Sequence, residues 1–511
     1  MDTGQTPAKT TPKLFARQAT GLVRAVPQRA SLIFNFIPSH PAFVLSAGVF
    51  FAFSLFPGGN FILALVLDIP LVLAFAYSYG LLASMLPRTG GDYMFVTRVL
   101  RPEVGVVSST CWMVSLFLSN AFFATAFIKV GLAPGFSVIG LLAKSPTWVS
   151  WGHTLATNTT SEFVVGTIMF LLAAGMMAAG WRLTLRLQAI VFGITVVGIV
   201  LCGLIALFTS RGTFIHNFNH FATPYTHQAN TYGATIATAA KSGVVVNPPF
   251  SIGNTVPLLG VLAIATIYPF ISAAYSGELR QARSTRTANV MAIAGTSAVI
   301  AIAIFGVIFL HTFGTAFVTA ANSASGLPSS IAASPTYFFL LSASVGSVLV
   351  AVILVFTYAV YWPLNTYCNF MQQSRIIFAW AFDGLLPESA TRLSRRHSPF
   401  IALIAMMLVG LSAAIVPWRR PEYYRGGATQ ARVLGIPVVT IAGVASILAG
   451  AFVWWLYLHY PQFGVSNKAN MFEWVFGVVA AALIFYYLVR WILRARRGVK
   501  LELVYAEIPP E

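Results

Sequence analysis

The chain reads Ile37-Pro38-Ser39-His40-Pro41 in the middle of an apolar run, 28–57. Each proline removes a backbone hydrogen-bond donor and its ring clashes with the preceding turn, so a helix through this stretch must kink or unwind. Irregular backbone is tolerated at membrane depth only where protein buries it or where it lines a cavity. The stretch therefore predicts a helix broken inside a membrane protein, with an ordinary proline kink as the alternative.

Composition identifies the chain as an integral membrane protein. Of its 511 residues, 57% are hydrophobic and 9% are charged, and the mean hydropathy is +0.78, whereas about 25% of residues in soluble domains are charged. The apolar runs have the length that membrane helices require and lack the alternation of a membrane barrel. These features exclude a soluble enzyme and predict an all-α polytopic membrane protein.

Hydropathy predicts about eleven spans. They are 28–57, 60–86, 104–142, 162–180, 183–209, 255–277, 288–314, 336–376, 399–417, 436–460 and 471–492. A crossing needs about 20 residues, so the first, third and eighth runs are long enough to be broken, tilted or extended. The polar connection 210–254 is predicted to form an ordered cap, with a helix near 231–243.

The basic residues lie in short connections and predict the orientation of the chain. There are 31 Lys and Arg against 13 Asp and Glu, and in a membrane protein such an excess marks the cytoplasmic connections, not a nucleic-acid partner. Through the eighth span, the connections on one side carry only Lys144, Arg211 and Lys241. The N-terminus is therefore predicted to be cytoplasmic.

The ninth run, 399–417, disturbs this alternation. Arg395-Arg396-His397 precedes it and Arg419-Arg420 follows it, so a single crossing would place basic residues outside. Either the run fails to cross, or a helix present in an ancestral chain is missing. The sequence leaves both alternatives open, and with them the side of the C-terminus.

A second interruption, Ile267-Tyr268-Pro269-Phe270, lies in the sixth run. Paired interrupted segments in the two halves of a transporter indicate its substrate site. Half-helices expose N–H groups at one end and carbonyls at the other, and these attract a carboxylate and an ammonium group, respectively. An amino acid carries both charges on one carbon, so the pair of breaks suits such a substrate.

Ionisable side chains inside the apolar runs are rare. Asp68 is the only acidic residue well inside one, and intramembrane carboxylates are costly and usually functional. It is predicted either to couple transport to protons or to hydrogen-bond a neighbouring helix. His40 is predicted either to titrate near neutral pH or to pack as a hydrogen-bonded residue. No catalytic residue, metal site or cofactor is predicted.

The connection from Leu86 to Arg98 has the character of a structured loop. Pro87 ends the second helix, a glycine pair turns the chain, and Asp92 is predicted to cap a short helix. The residues of this loop motif are Arg88, Gly90, Gly91, Asp92 and Arg98.

Several segments together resemble the amino acid–polyamine–organocation permeases, specifically the prokaryotic amino acid permeases. They are Phe56-Pro57-Gly58-Gly59-Asn60, 86–98, Gly277-Glu278-Leu279-Arg280, 374–387, Trp418-Arg419-Arg420-Pro421-Glu422, Gly435-Ile436-Pro437 and Glu507-Ile508-Pro509-Pro510-Glu511. The resemblance covers nearly the whole chain. It implies a leucine-transporter-type fold, in which two inverted five-helix repeats have broken helices 1 and 6.

The resemblance also implies a division of the chain and a site. The implied segments are a cytoplasmic tail, 1–27; a first repeat, 28–209; an extracellular connection, 210–254; a second repeat, 255–417; C-terminal spans, 418–492; and a C-terminal tail, 493–511. The implied substrate contacts are Pro38, Ser39, His40, Tyr268, Pro269 and Phe270, with Tyr268 or Phe270 as an aromatic gate. Candidates for ion coupling are Asp68 and Glu278.

Two features depart from the family pattern. Members usually carry small residues in the first break, where this chain has Ser39-His40-Pro41, and they usually have twelve helices. Here one run, 399–417, occupies the place of a pair, which predicts that the second repeat has lost a helix.

The combined prediction is a multi-pass secondary transporter of the plasma (cell inner) membrane. It moves an amino acid or related small amine by alternating access, and the alternatives for its driving force are coupling to H⁺, coupling to Na⁺ and exchange. A non-transporting substrate sensor and an inactive permease of the same fold are the alternatives. The predicted partners are the lipid bilayer and a small-molecule substrate.

Overall fold

The computed structural model describes most of the chain. The described residues are 24, 26–178, 180–324, 326–331, 334–386, 400–460, 462, 468–497 and 504–505. Most of the predicted tail 1–27, the last residue of the segment 374–387 and the motif 507–511 lie outside them. Within this part the chain is helical except for its connections and one short hairpin, as expected of an all-α polytopic membrane protein.

The first half begins with an interrupted helix. It consists of α1 (Gln28–Phe36), a 3-10 turn (Ile37–Ser39), α2 (Pro41–Phe43), a π-helical segment (Val44–Gly48) and α3 (Val49–Leu55). There follow α4 (Phe61–Met85), α5 (Asp92–Val99), α6 (Pro102–Ala126), a π-helical segment (Phe127–Leu132), α7 (Ala133–Leu142), α8 (Pro146–Thr157), α9 (Thr159–Ala178), α10 (Gly180–Leu207), α11 (Arg211–Thr226) and α12 (Thr231–Lys241).

The second half begins with another interrupted helix. It consists of α13 (Ile252–Thr266) and a 3-10 helix (Ile271–Glu278). There follow α14 (Arg286–Phe313), α15 (Thr315–Ala321), α16 (Tyr337–Val345), α17 (Val348–Ala359), α18 (Tyr361–Phe382), α19 (Phe400–Arg419), α20 (Pro421–Arg425), the antiparallel strands β1 (Arg432–Val433) and β2 (Ile436–Pro437), α21 (Val438–His459) and α22 (Lys468–Arg497).

Eight helical stretches of the described chain are long and apolar enough to cross a membrane. They are Phe61–Met85, Pro102–Leu142, Thr159–Met177, Leu183–Leu207, Arg286–Phe313, Val348–Phe382, Val438–His459 and Met471–Ala495. Two shorter apolar helices, Ile252–Ala263 and Leu408–Arg419, belong to α13 and α19. The predicted run 336–376 is divided, because α16 precedes the stretch that begins at Val348.

One face of the molecule collects the ends of many helices and most of the arginines. The Val26 amide donates to the Glu278 carbonyl at 3.0 Å, and the Ser276 hydroxyl donates to the Arg88 carbonyl at 2.8 Å. We call this the basic face, which comprises residues 24, 26–29, 88–101, 276–286, 375–383 and 419–437. It is the face that the charge distribution predicts to be cytoplasmic.

The connection 210–254 forms a helical cap over the opposite face. The Arg211 guanidinium donates to the His311 carbonyl at 2.8 Å, and the Tyr232 hydroxyl donates to the Phe313 carbonyl at 2.9 Å. The Tyr232 ring also stacks on Phe317 with centroids 4.4 Å apart. The helix predicted near 231–243 is present as α12, and the connection packs on α14 and α15.

The α19 helix points in the same direction as α18. Arg419 and Arg420 donate to the carbonyls of Leu100 and Arg98 at 2.9 Å, and Arg98 also binds Asp383 at the end of α18. Both helices therefore end at the basic face, and the arginines after α19 lie there too. A run crossing outward from the basic face would have put these arginines on the opposite side, so α19 is not such a run.

The direction of α19 bears on the two alternatives for the run 399–417. Successive spans normally run antiparallel, and two that run parallel are what the loss of one crossing produces. A run that dips in and returns would not form a single 20-residue helix of about 30 Å. The single helix α19 therefore does not match a run that dips in and returns, and residues 387–399, between the two helices, lie outside the described part of the chain.

Candidate functional site

The first break centres on one residue, His40. His40 has φ 45° and ψ 40°, in the left-handed region that non-glycine residues rarely adopt. The 3-10 turn with Pro38 and Ser39 lies before it, and α2 begins after it at Pro41. The Tyr361 hydroxyl donates to the Ile37 carbonyl at 3.1 Å. A side chain of α18 thus supports the backbone at the break, as buried irregular backbone requires.

The second break occupies the predicted residues Ile267 to Phe270, between α13 and the 3-10 helix. Asn35 of α1 binds the start of the second half-helix with both ends of its amide. Its Nδ2 donates to Ser272 Oγ and its Oδ1 accepts from the Ser272 amide, each at 2.9 Å. This contact satisfies an N–H group at a helix start and joins the half-helix before the first break to the half-helix after the second.

The predicted residues of the second break pack against aromatic rings. Phe270 is 1% exposed, and its ring stacks on Tyr79 with centroids 3.8 Å apart. Trp112 of α6 lies 5.8 Å from Phe270 and 6.0 Å from Tyr268. Pro269 is buried and lies against Gly295 of α14. Phe270 and Tyr268 therefore both border Trp112, where an aromatic gate was expected.

His40 connects the first break to α18. Its Nδ1 lies 2.8 Å from the Tyr361 hydroxyl oxygen and 2.9 Å from Asn365 Nδ2, and its ring is 5.0 Å from that of Phe123. Ser39 turns away from this contact, because its hydroxyl donates to the Asn35 carbonyl at 3.3 Å. Of the three predicted residues on this break, His40 alone faces α18 through a polar atom.

Four buried carboxamides lie along one face of α18. We call them the carboxamide row: Asn365, Asn369, Gln372 and Gln373. Their spacing, i, i+4, i+7 and i+8, places them on one helical face. They are absent from the predicted site residues, although four carboxamides within nine residues of an apolar run are a visible signal.

The carboxamide row bonds to α6. Asn369 Nδ2 donates to Asn120 Oδ1 at 3.1 Å, and Trp112 Nε1 donates to Gln372 Oε1 at 3.2 Å. Asn120 Nδ2 lies 3.5 Å from Gln373 Oε1. Since Trp112 also borders Phe270, the row extends from the first break to the second.

The two candidates for ion coupling lie in different surroundings. Asp68 is fully buried, and its Oδ2 accepts a hydrogen bond at 2.6 Å from Thr266, the last residue of α13. Its Oδ1 has no partner within the described chain. Glu278 instead forms a bidentate ion pair with Arg375, with both N–O distances 3.0 Å.

The loop motif on the basic face is tightly packed. The Gly90 amide donates to the Ala274 carbonyl at 2.8 Å. Gly91 has φ 50°, and a Cβ there would lie 3.1 Å from the Cα of Ala274, so glycine fits this position best. Arg88 lies close by, with its carbonyl bonded to Ser276. The glycine pair thus seats the loop against the 3-10 helix of the second break.

The predicted capping by Asp92 is wrong. The N-cap of α5 is Gly91, and no side chain caps this helix end. Asp92 is the first helical residue, and its carboxylate accepts a hydrogen bond from the Tyr79 hydroxyl at 3.0 Å. Burial raises the pKa of Asp92 to about 7, although the hydrogen bond from Tyr79 opposes this shift.

Arg98 lies at the centre of a buried polar cluster. Its guanidinium donates to both Asp383 oxygens, at 2.7 and 2.9 Å. The Tyr93 hydroxyl donates to Asp383 at 2.7 Å and lies 3.1 Å from the Tyr505 hydroxyl, and Arg98 covers the Tyr505 ring at 5.1 Å. Residues near the C-terminus therefore lie at the basic face.

Comparison with protein families identifies the chain. The family model described as amino acid permease matches residues 28–500. This is far more than half of the 511 residues, so the chain belongs to the amino acid permease family, as the motifs indicated. It is a multi-pass membrane protein of a transporter family and not an enzyme. A comparison with curated proteins found no match.

Proposed function

We propose that this amino acid permease is a secondary active transporter that moves an amino acid or a related small amine across the plasma (cell inner) membrane by alternating access. The observation that carries the proposal is the bonding of Asn35 to Ser272, which holds the two interrupted helices together next to their breaks. Breaks that meet bring the polar ends of half-helices to one place, where a zwitterion finds complements for both charges.

The proposed substrate contacts are the residues of the two breaks. On the first break, Pro38 has no N–H group to donate, and the imidazole of His40 contacts α18. On the second, Tyr268 and Phe270 form the proposed gate beside Trp112. Movement of the second break away from Trp112 and Tyr79 would open the site. The stack of Phe270 on Tyr79 belongs to the closed arrangement.

Asp68 is the proposed site of proton coupling. Its carboxyl group accepts a hydrogen bond from Thr266, where α13 ends at the second break. A change in the protonation of Asp68 therefore acts directly on the second break, which is the segment proposed to move. Glu278 is the second candidate, but Arg375 holds both of its oxygens. Sodium coupling and exchange are the competing proposals.

A substrate sensor or an inactive permease is the second candidate function. The observation that favours it is the parallel direction of α18 and α19, since successive spans of a complete repeat would run antiparallel. Binding without flux would identify a sensor. Neither binding nor flux would identify an inactive permease.

The proposal is tested with purified protein in proteoliposomes. Uptake of radiolabelled amino acids is measured with and without a proton gradient, and binding is measured in parallel. Asn35→Leu removes the bond between the breaks and is expected to lower uptake at least about tenfold, because a buried Ser272 amide loses its partner.

Asn322→Ala is the matched control, since Asn322 bonds only its own helix, at the Val318 carbonyl, among the contacts described for its amide. The control is expected to transport like the unaltered protein. Equal uptake by Asn35→Leu and Asn322→Ala would contradict the assignment of the site to the two breaks.

A further inference from the structure

The carboxamide row contains polar atoms that the protein does not satisfy. Three buried atoms have no hydrogen-bond partner in the described chain, namely Asn365 Oδ1, Gln372 Nε2 and Gln373 Nε2. Each side chain is at most 2% exposed. A buried donor or acceptor without a partner is costly. These three atoms, one acceptor and two donors, therefore call for a specific explanation.

These atoms lie beside the proposed binding site. Asn365 contacts His40 of the first break at 2.9 Å. Gln372 bonds to Trp112, whose ring borders Phe270 of the second break. A substrate that places its ammonium and carboxylate at the breaks therefore directs its side chain towards α6 and α18.

The charges around the row restrict the substrate further. Across the described lengths of α6 and α18, the charged residues are Glu103 and Arg375. Glu103 pairs with Arg101 on the basic face, and Arg375 pairs with Glu278. The four side chains of the row are uncharged, and His40 is the ionisable residue that contacts them at Asn365. A substrate with a charged side chain would lose its hydration there without gaining a counter-ion.

We propose that the carboxamide row selects amino acids with an uncharged side chain that both donates and accepts hydrogen bonds, foremost the carboxamides glutamine and asparagine. Their carbonyl accepts from Gln372 or Gln373, and their NH₂ group donates to Asn365 Oδ1. An aliphatic side chain of the same size leaves all three atoms unsatisfied. This inference rests on the proposed transport function and names its substrate class.

The test compares substrates of equal shape and different polarity. Uptake of radiolabelled glutamine into proteoliposomes is measured in competition with unlabelled asparagine, leucine and aspartate. Leucine and aspartate match asparagine in the number of non-hydrogen side-chain atoms. Asparagine is expected to compete at concentrations about tenfold or more below those of leucine, with aspartate weakest.

Gln373→Met removes the amide and keeps the length of the side chain. It is expected to reduce the ratio of asparagine to leucine competition to about threefold or less. Gln188→Met is the matched control, because Gln188 of α10 is an equally buried glutamine whose amide atoms have no partner in the described chain. Its ratio is expected to stay unchanged. Because the ratio is measured within each variant, it does not depend on the amount of folded protein.

The outcomes separate this inference from the proposed function. If leucine or aspartate competes as well as asparagine while transport proceeds, the transporter assignment stands and the role of the row is overturned. The same holds if Gln188→Met changes the ratio as much as Gln373→Met. If no amino acid is bound or taken up, the proposed function itself fails.

Discussion

Replacement of Asp383 by alanine tests the contribution of the buried ion pair on the basic face. Arg98 donates to both carboxylate oxygens, at 2.7 and 2.9 Å, and the two side chains are 0% and 1% exposed. The Tyr93 hydroxyl donates to the same carboxylate. The variant leaves a buried guanidinium without its counter-ion, and such a change costs about 3–5 kcal/mol of unfolding free energy.

An exposed ion pair on the same face supplies the control. Arg101 and Glu103 lie 3.5 Å apart, and the Arg101 side chain is 70% exposed. Solvent screens such pairs, which contribute about 0–1 kcal/mol, so Glu103→Ala is expected to have little effect. A double variant, Arg98→Met with Asp383→Leu, removes both buried charges and is expected to recover most of the loss.

The assay is unfolding of the purified protein in detergent micelles by added SDS, followed by tryptophan fluorescence. The expected order of stability places Asp383→Ala lowest, the double variant above it, and Glu103→Ala beside the unaltered protein. The reasoning would be refuted if Asp383→Ala were as stable as Glu103→Ala. A double variant no more stable than Asp383→Ala would show that packing, and not the unpaired charge, accounts for the loss.

Three further predictions concern other parts of the chain. Because burial raises the pKa of Asp92 to about 7 from 3.8, its stabilising contribution is full below about pH 4 and is lost as pH rises to about 7. The melting temperature should therefore fall from about pH 5 to 7 and level off above, and it should fall less in Asp92→Asn. Both chain termini should lie on the cytoplasmic side, since Val26 and Tyr505 contact the basic face; a cytoplasmic reporter fused to either end should be active, and an inactive C-terminal fusion would contradict this. Phe270→Ala should lose about 3–5 kcal/mol in SDS unfolding, because the ring is buried against Tyr79; a loss below 1 kcal/mol would contradict the stack.

The positions of both breaks could be predicted from the sequence because their causes are local. Pro38, Pro41 and Pro269 each remove a donor and obstruct the preceding turn wherever the surrounding helix lies. The structure interrupts both helices at the residues that these prolines indicated. The capping of α5 could not be predicted as safely, since Gly91 and Asp92 both suit a helix start and only the position of Tyr79 decides between them.

The contacts that assemble the site could not be predicted, because they join distant parts of the chain. Asn35 and Ser272 are separated by 237 residues, and no local pattern pairs them. The carboxamide row is different, since its helical spacing was visible in the sequence. What the sequence lacked was the neighbour: Asn120 and Trp112 of α6 turn a polar stripe into a bonded interface that reaches both breaks.

The direction of α19 could not be predicted from the distribution of basic residues alone. The positive-inside rule assigns a side to each connection, but it yields a topology only when every span reverses the chain. Arginines flank α19 at both ends in the sequence, and the contacts of Arg420 with Arg98 place its C-terminal end on the basic face. Residues 419–437 therefore lie with the other arginine-rich connections, as the rule expects. The alternation of spans does not describe α18 and α19, because both helices end at that same face.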